Sequence, residues 1–177
     1  MRGVYEPLRD VSLRLIVVTG GAGFIGSNLV AGLEEHGQTD LVVCDLPLEA
    51  EKLKNVAKHA LAAVIVPEKL THFLERNAAE IRAVFHMGAI TSTTETDVDR
   101  LGATNVNLPA DLWRWCAQSA VPFIYASSAA TYGDGSMGFD DDGSVASLAR
   151  LRPLNPYGRS KHVFDRMVAG WVEEGAA

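Results

Sequence analysis

The chain has 177 residues, 47% of them hydrophobic, with 16 basic against 22 acidic residues and a net charge of -6. That is apolar material for one sizeable core, and an acidic balance without a basic stripe argues against a nucleic-acid surface. Two cysteines exclude a disulfide framework, and a charged start with no apolar run of bilayer length predicts a cytoplasmic protein that is neither exported nor membrane-bound.

Residues 1–12 read as an N-terminal extension, and residues 13–177 as one domain. The first strand candidate, residues 13–18, runs into Gly20-Gly21-Ala22-Gly23-Phe24-Ile25-Gly26 and then into a helix over 24–35. A glycine pattern between a strand and a helix is the context for a dinucleotide site. Gly20 permits the sharp turn, Gly23 lets a pyrophosphate approach the main chain, and Gly26 lets the helix pack closely on the sheet. The helix's first amides then face the anion. The next strand, 41–44, ends at Asp45, about twenty positions on, where a carboxylate suits the adenosine ribose hydroxyl. Asp45 favours NAD, whereas Lys52 and Lys54 on the following helix, 51–59, supply cations for a 2′-phosphate. Both NAD and NADP are therefore open.

Strand candidates at 62–66, 83–86 and 122–126 alternate with helices at 68–80, 98–119 and 156–174. This rhythm predicts an α/β fold, a doubly wound parallel sheet of the Rossmann type. Trp113 and Trp115 read as core packing, and Asp140-Asp141-Asp142 as a solvated loop. The five histidines show no paired metal spacing, so no metal site is expected. No G-x-S-x-G elbow occurs.

Tyr157 and Lys161 share one face of the last helix. An ammonium beside the phenol favours the phenolate, which makes Tyr157 a usable acid/base. Ser127 and Ser128 follow the fifth strand at the carboxyl edge of the sheet, where ligands of this architecture bind. A hydroxyl there bridges the phenol and a substrate hydroxyl.

Together with His86-Met87-Gly88-Ala89 and Tyr125-Ala126-Ser127-Ser128, these motifs resemble the extended short-chain dehydrogenase/reductase family over nearly the whole chain from Leu13. Thr91-Ser92-Thr93-Thr94-Glu95, residues 122–133 and Leu154-Asn155-Pro156-Tyr157-Gly158 narrow the resemblance to a branch that epimerises C6 of an ADP-heptose. The resemblance implies Tyr157, Lys161 and Ser128 as catalytic residues and a nucleotide-sugar substrate. It puts Phe24 and Ile25 on the cofactor pyrophosphate, and Asp45, Leu46 and Lys52 at the adenosine end, with Lys69 on the adenine side. Met87, Gly88, Ala89, Ile90 and Thr91 would line the cofactor, Asn105 would touch it, and Lys161 would hold the nicotinamide ribose. A homo-oligomer is implied too. Family members continue further to supply a substrate lobe, so the chain is expected to be a fragment or truncated form lacking that C-terminal lobe. Two alternatives stand beside it: another nucleotide-sugar epimerase or dehydratase, and a non-catalytic dinucleotide sensor.

Overall fold

A computed structural model of the chain describes residues 14–46 and 50–176, without the side chains of residues 50, 51 and 53. The expected N-terminal extension, residues 1–12, lies outside the described residues.

Five apolar segments form the sheet: β1 (Leu15–Thr19), β2 (Leu41–Cys44), β3 (Ala63–Ile65), β4 (Ile81–His86) and β5 (Phe123–Tyr125). All pair in parallel in the order β3-β2-β1-β4-β5, with Val17 of β1 level with Val42 and Val84 on either side. Because helices cover both faces, the central strands are apolar at successive positions rather than alternating. Every residue of β1 and β2 is buried. Leu15 and Val17 face one cluster with Leu70, Leu74, Leu112 and Cys116, while Ile16 and Val18 face another with Val30 and Val56. Two cores divided by one sheet are the physical content of double winding.

The helices are α1 (Phe24–Glu35), α2 (Ala50–Val56), α3 (Leu70–Arg76), α4 (Val98–Leu101), α5 (Leu108–Gln118), α6 (Val145–Leu148) and α7 (Pro156–Glu173). Two expectations are corrected. The stretch at 68–80 starts as a 3₁₀ turn, Pro67–Lys69, and ends at Arg76, where Asn77 turns its side chain back onto the Phe73 carbonyl at 2.7 Å. The long helix at 98–119 is split by a π segment, Gly102–Asn107. Pro109 explains the widening, since it offers no N–H and its ring would crowd the carbonyl four residues back.

The 3₁₀ turn Ala129–Tyr132 and the four-residue α6 carry no periodicity that a sequence reading detects. Trp113 is buried and stacks on Trp171 at 4.6 Å, and Trp115 packs against the first cluster, so both tryptophans are core. Cys44 and Cys116 are buried free thiols. Residues 140–142 are exposed. Among the described residues no cluster fits a metal ion, and no helix is long and apolar enough to cross a membrane.

Candidate functional site

Between β1 and α1 the chain turns at Gly20, whose φ of +64° suits glycine and whose missing side chain admits Gly88 from the exit of β4. A Cβ at Gly20 would stand 2.6 Å from the Gly88 Cα, and one at Gly26 would overlap the Gly20 carbonyl oxygen. The turn is thus packed shut from beneath and open above. Gly23 caps α1 without a side-chain hydrogen bond, and no acidic residue sits in the first turn. The first amides of α1 are therefore left for an external anion.

Asp45 sits beneath this turn rather than reaching out freely. One carboxylate oxygen accepts from the Ala22 N–H at 3.0 Å, and the other accepts from the Leu46 N–H at 2.8 Å with Lys52 Nζ 3.5 Å away. Asn55, which no motif singled out, donates to the Ala22 carbonyl at 2.9 Å. Both groups fix the height of the glycine turn over the sheet.

On the other side of the turn, Thr19 joins β1 to β4. Its hydroxyl lies 2.7 Å from His86 Nδ1 and accepts from the Gly88 N–H at 3.2 Å. His86 is fully enclosed, and burial, then the nearby Lys161 charge, push its pKa down to about 3. It is a neutral imidazole at physiological pH.

These elements enclose a cleft of about 750 Å³. It is lined by Gly20, Gly23, Phe24, Ile25 and Gly26 of the glycine turn, by Asp45, Leu46 and Lys52 beyond β2, by Met87, Gly88, Ala89, Ile90 and Thr91 beyond β4, and by Tyr157. Phe24 is 85% exposed on the rim. The cleft also takes in Arg100 and Thr104, for which the sequence carried no chemical signal.

Four expected residues stand outside that lining. Lys69 is exposed on the 3₁₀ turn. Asn105, in the π segment, accepts from the Ile90 N–H and donates to the Ile90 carbonyl, both at 2.9 Å, and also donates to Ser160 Oγ at 3.0 Å. Its amide grips the cleft wall from behind. Ser128 caps the 3₁₀ turn that follows it, accepting from the Ala130 N–H at 3.2 Å. Lys161 is 5% exposed, donates to the Ala126 carbonyl at 2.9 Å, and is drawn below the usual lysine range by burial, an effect that Asp165 opposes.

Tyr157 is placed by the start of α7. Asn155 accepts from the Gly158 N–H at 2.7 Å and Pro156 occupies the first turn, so the helix begins at a fixed angle with Tyr157 at the cleft. One further residue went unread: Asp165, one turn beyond Lys161, accepts from Tyr125 and Ser127. Its position four residues after Lys161 and eight after Tyr157 is the signal that marks it.

The donor set fits a dinucleotide: uncapped amides and a glycine floor for a diphosphate, a carboxylate and an ammonium at one end, and a phenol at the other. The sequence profile of the NAD dependent epimerase/dehydratase family matches residues 16–177. The chain is 45% identical over 153 residues to an ADP-L-glycero-D-manno-heptose-6-epimerase of Fusobacterium nucleatum, covering 85% of this chain and 46% of that relative. The crystal structure of Helicobacter pylori ADP-L-glycero-D-manno-heptose-6-epimerase is similar with a TM-score of 0.71 and 28% identity, over 90% of this chain and 51% of that one. Brucella ovis UDP-glucose 4-epimerase in complex with NAD gives a TM-score of 0.66 and 26% identity, over 90% of this chain and 48% of that one. The chain spans about half the length of the curated relatives it matches. It belongs to the NAD dependent epimerase/dehydratase family, on a Rossmann-type fold.

Proposed function

We propose that this chain is the nicotinamide-binding module of an enzyme that inverts C6 of an ADP-heptose by transient oxidation. The observation that carries this reading is that Tyr157 opens into the same cleft as the glycine turn, in a chain 45% identical to a named heptose epimerase. Bound NADP or NAD supplies the hydride acceptor and donor. Tyr157, which lines the cleft, would accept the proton of the C6 hydroxyl as that carbon is oxidised to a ketone. Inversion would require the ketone to turn so that its other face meets the stored hydride; the proton would then go back to the oxygen, leaving no net redox change. Lys161, one helical turn after Tyr157 and bonded to the Ala126 carbonyl, would supply a positive charge near the phenol and would hold the nicotinamide ribose. Because Ser128 accepts from an amide, its own proton is left for a substrate oxygen.

We assign NADP as the preferred cofactor, since the Asp45 charge is shared with two amides and Lys52 stands beside it to meet a 2′-phosphate. NAD is the second reading, favoured by the carboxylate itself. The natural protein containing this chain, loaded with NADP and incubated with ADP-heptose, is expected to interconvert the C6 epimers, resolved by chromatography. Tyr157→Phe is expected to abolish interconversion while still binding cofactor. No interconversion by the unaltered protein with cofactor bound would defeat the proposal, and a sensor would show binding without turnover in both forms.

A further inference from the structure

The middle of α7 holds a buried carboxylate that the reaction itself does not use. Asp165 is 8% exposed and lies on the helical stripe of Tyr157 and Lys161, at i+8 and i+4. It does not line the cofactor cleft; with Tyr125, Ser127 and Ser128 it borders a second cavity of about 770 Å³. One of its oxygens accepts from the Tyr125 hydroxyl at 2.9 Å, and the other from the Ser127 hydroxyl at 2.5 Å. Between those two residues, the Ala126 carbonyl accepts from Lys161 Nζ at 2.9 Å.

Three successive residues leaving β5 are therefore fastened to α7 by three bonds, two of them to one carboxylate. Charge-assisted hydrogen bonds of this kind are short and directional. Immediately downstream, Ser128 is held by its bond from the Ala130 N–H and by Thr131, whose hydroxyl donates to the Ser128 carbonyl at 2.7 Å. Gly158, next to Tyr157, presses on Ala130, where a Cβ would come within 2.7 Å of the Ala130 carbonyl oxygen.

We propose that Asp165 is a positioning residue: it clamps the β5 exit onto α7 so that Ser128 and Lys161 are presented together beside Tyr157. The assignment rests on the acid/base reading of Tyr157 given above and deepens it. Electrostatics work in the same direction. Burial disfavours the Lys161 ammonium, the Asp165 carboxylate opposes that loss, and Lys161 in turn disfavours charge on His86 of β4. Burial and then Asp165 also push the Tyr125 phenol well above its ordinary range, which keeps it a hydrogen-bond donor. Without the carboxylate the lysine would be poorer in charge and the serine corner free to swing.

The test uses this chain, with selectively labelled lysine followed by NMR through a pH titration. In Asp165→Asn the Lys161 midpoint is expected to fall, because the carboxylate that opposes the burial effect is gone. Ser127→Ala keeps the charge, so the Lys161 midpoint is expected to stay while the amide resonances of Ala130 and Thr131 move. In the natural protein containing this chain, Asp165→Asn is expected to lower kcat for epimerisation about tenfold. An unmoved Lys161 midpoint in Asp165→Asn, or unmoved Ala130 and Thr131 resonances in Ser127→Ala, overturns the assignment. Should Asp165→Asn fail to fold, Ser127→Ala decides the matter. If the wild-type chain binds neither NADP nor NAD, the cofactor reading falls, and the two NMR results still judge Asp165.

Discussion

His86 ties the candidate site to acid stability. Its pKa falls from an unfolded value of 6.5 to about 3 in the folded chain, mainly through burial and then through Lys161. Between those values the unfolded chain binds the proton and the folded chain does not, so stability is lost as pH drops from 6.5 towards 3. This one residue is expected to cost roughly 2 to 3 kcal/mol between pH 6.5 and 4.5, read as the difference in urea unfolding at the two pH values. His86→Gln, which keeps a polar partner for Thr19, is expected to lose correspondingly less over the same interval. Equal acid sensitivity in the two proteins would contradict the assignment. At this scale the sequence was most legible where chemistry depends on local spacing, as with Gly20 to Gly26 and with Tyr157 and Lys161. It was less legible for the backbone contacts of Asp45 and Asn105. Asp45 lines the cleft and also accepts from the Ala22 and Leu46 N–H groups, whereas Asn105 stands behind the cleft wall on the backbone of Ile90. Such bonds link positions far apart in the chain, which no local pattern reveals.

Among the elements, the π segment has the most to explain. By widening the helix ahead of Pro109 it brings Asn105 inward, where it meets both the N–H and the carbonyl of Ile90. Asn105→Ala removes three hydrogen bonds and leaves two partly buried backbone groups without partners, so a loss of about 2 to 4 kcal/mol is expected in urea unfolding. The same variant is expected to loosen the wall from Met87 to Thr91 and weaken cofactor binding. A change under about 0.5 kcal/mol would mean that water replaces the amide at no cost. The five strands and α1 were legible because each is a short apolar run or a clear helical period. The break at 102–107 was not, although Pro109 announced it, because a strong periodicity on both sides masks a single widened turn.

For the molecule as a whole, the cleft lies at the carboxyl ends of β1 and β4, where windings to left and right part, the place at which this architecture takes ligands. A ligand that binds only the folded chain stabilises it by about 2.7 kcal/mol at one hundred times its Kd, so NADP at that level is expected to raise Tm by roughly 5 to 10 °C. Gly26→Ala, which would drive a methyl into the Gly20 carbonyl, is expected to lower the Tm of the free chain and lose most of the NADP increment. A full increment in that variant would show that the glycine turn does not hold the cofactor. The sequence conveyed the doubly wound plan through its alternation of elements, and the two-sided burial of β1 and β2 bears it out. Cys116 is sealed inside the first cluster, with burial keeping its sulfur protonated up to about 12, whereas Cys44, also in that cluster, borders the cleft. At neutral pH an alkylating reagent can therefore tag Cys116 only in chains that have come apart. Mass spectrometry after timed pulses would then count native-state openings directly, with no added label.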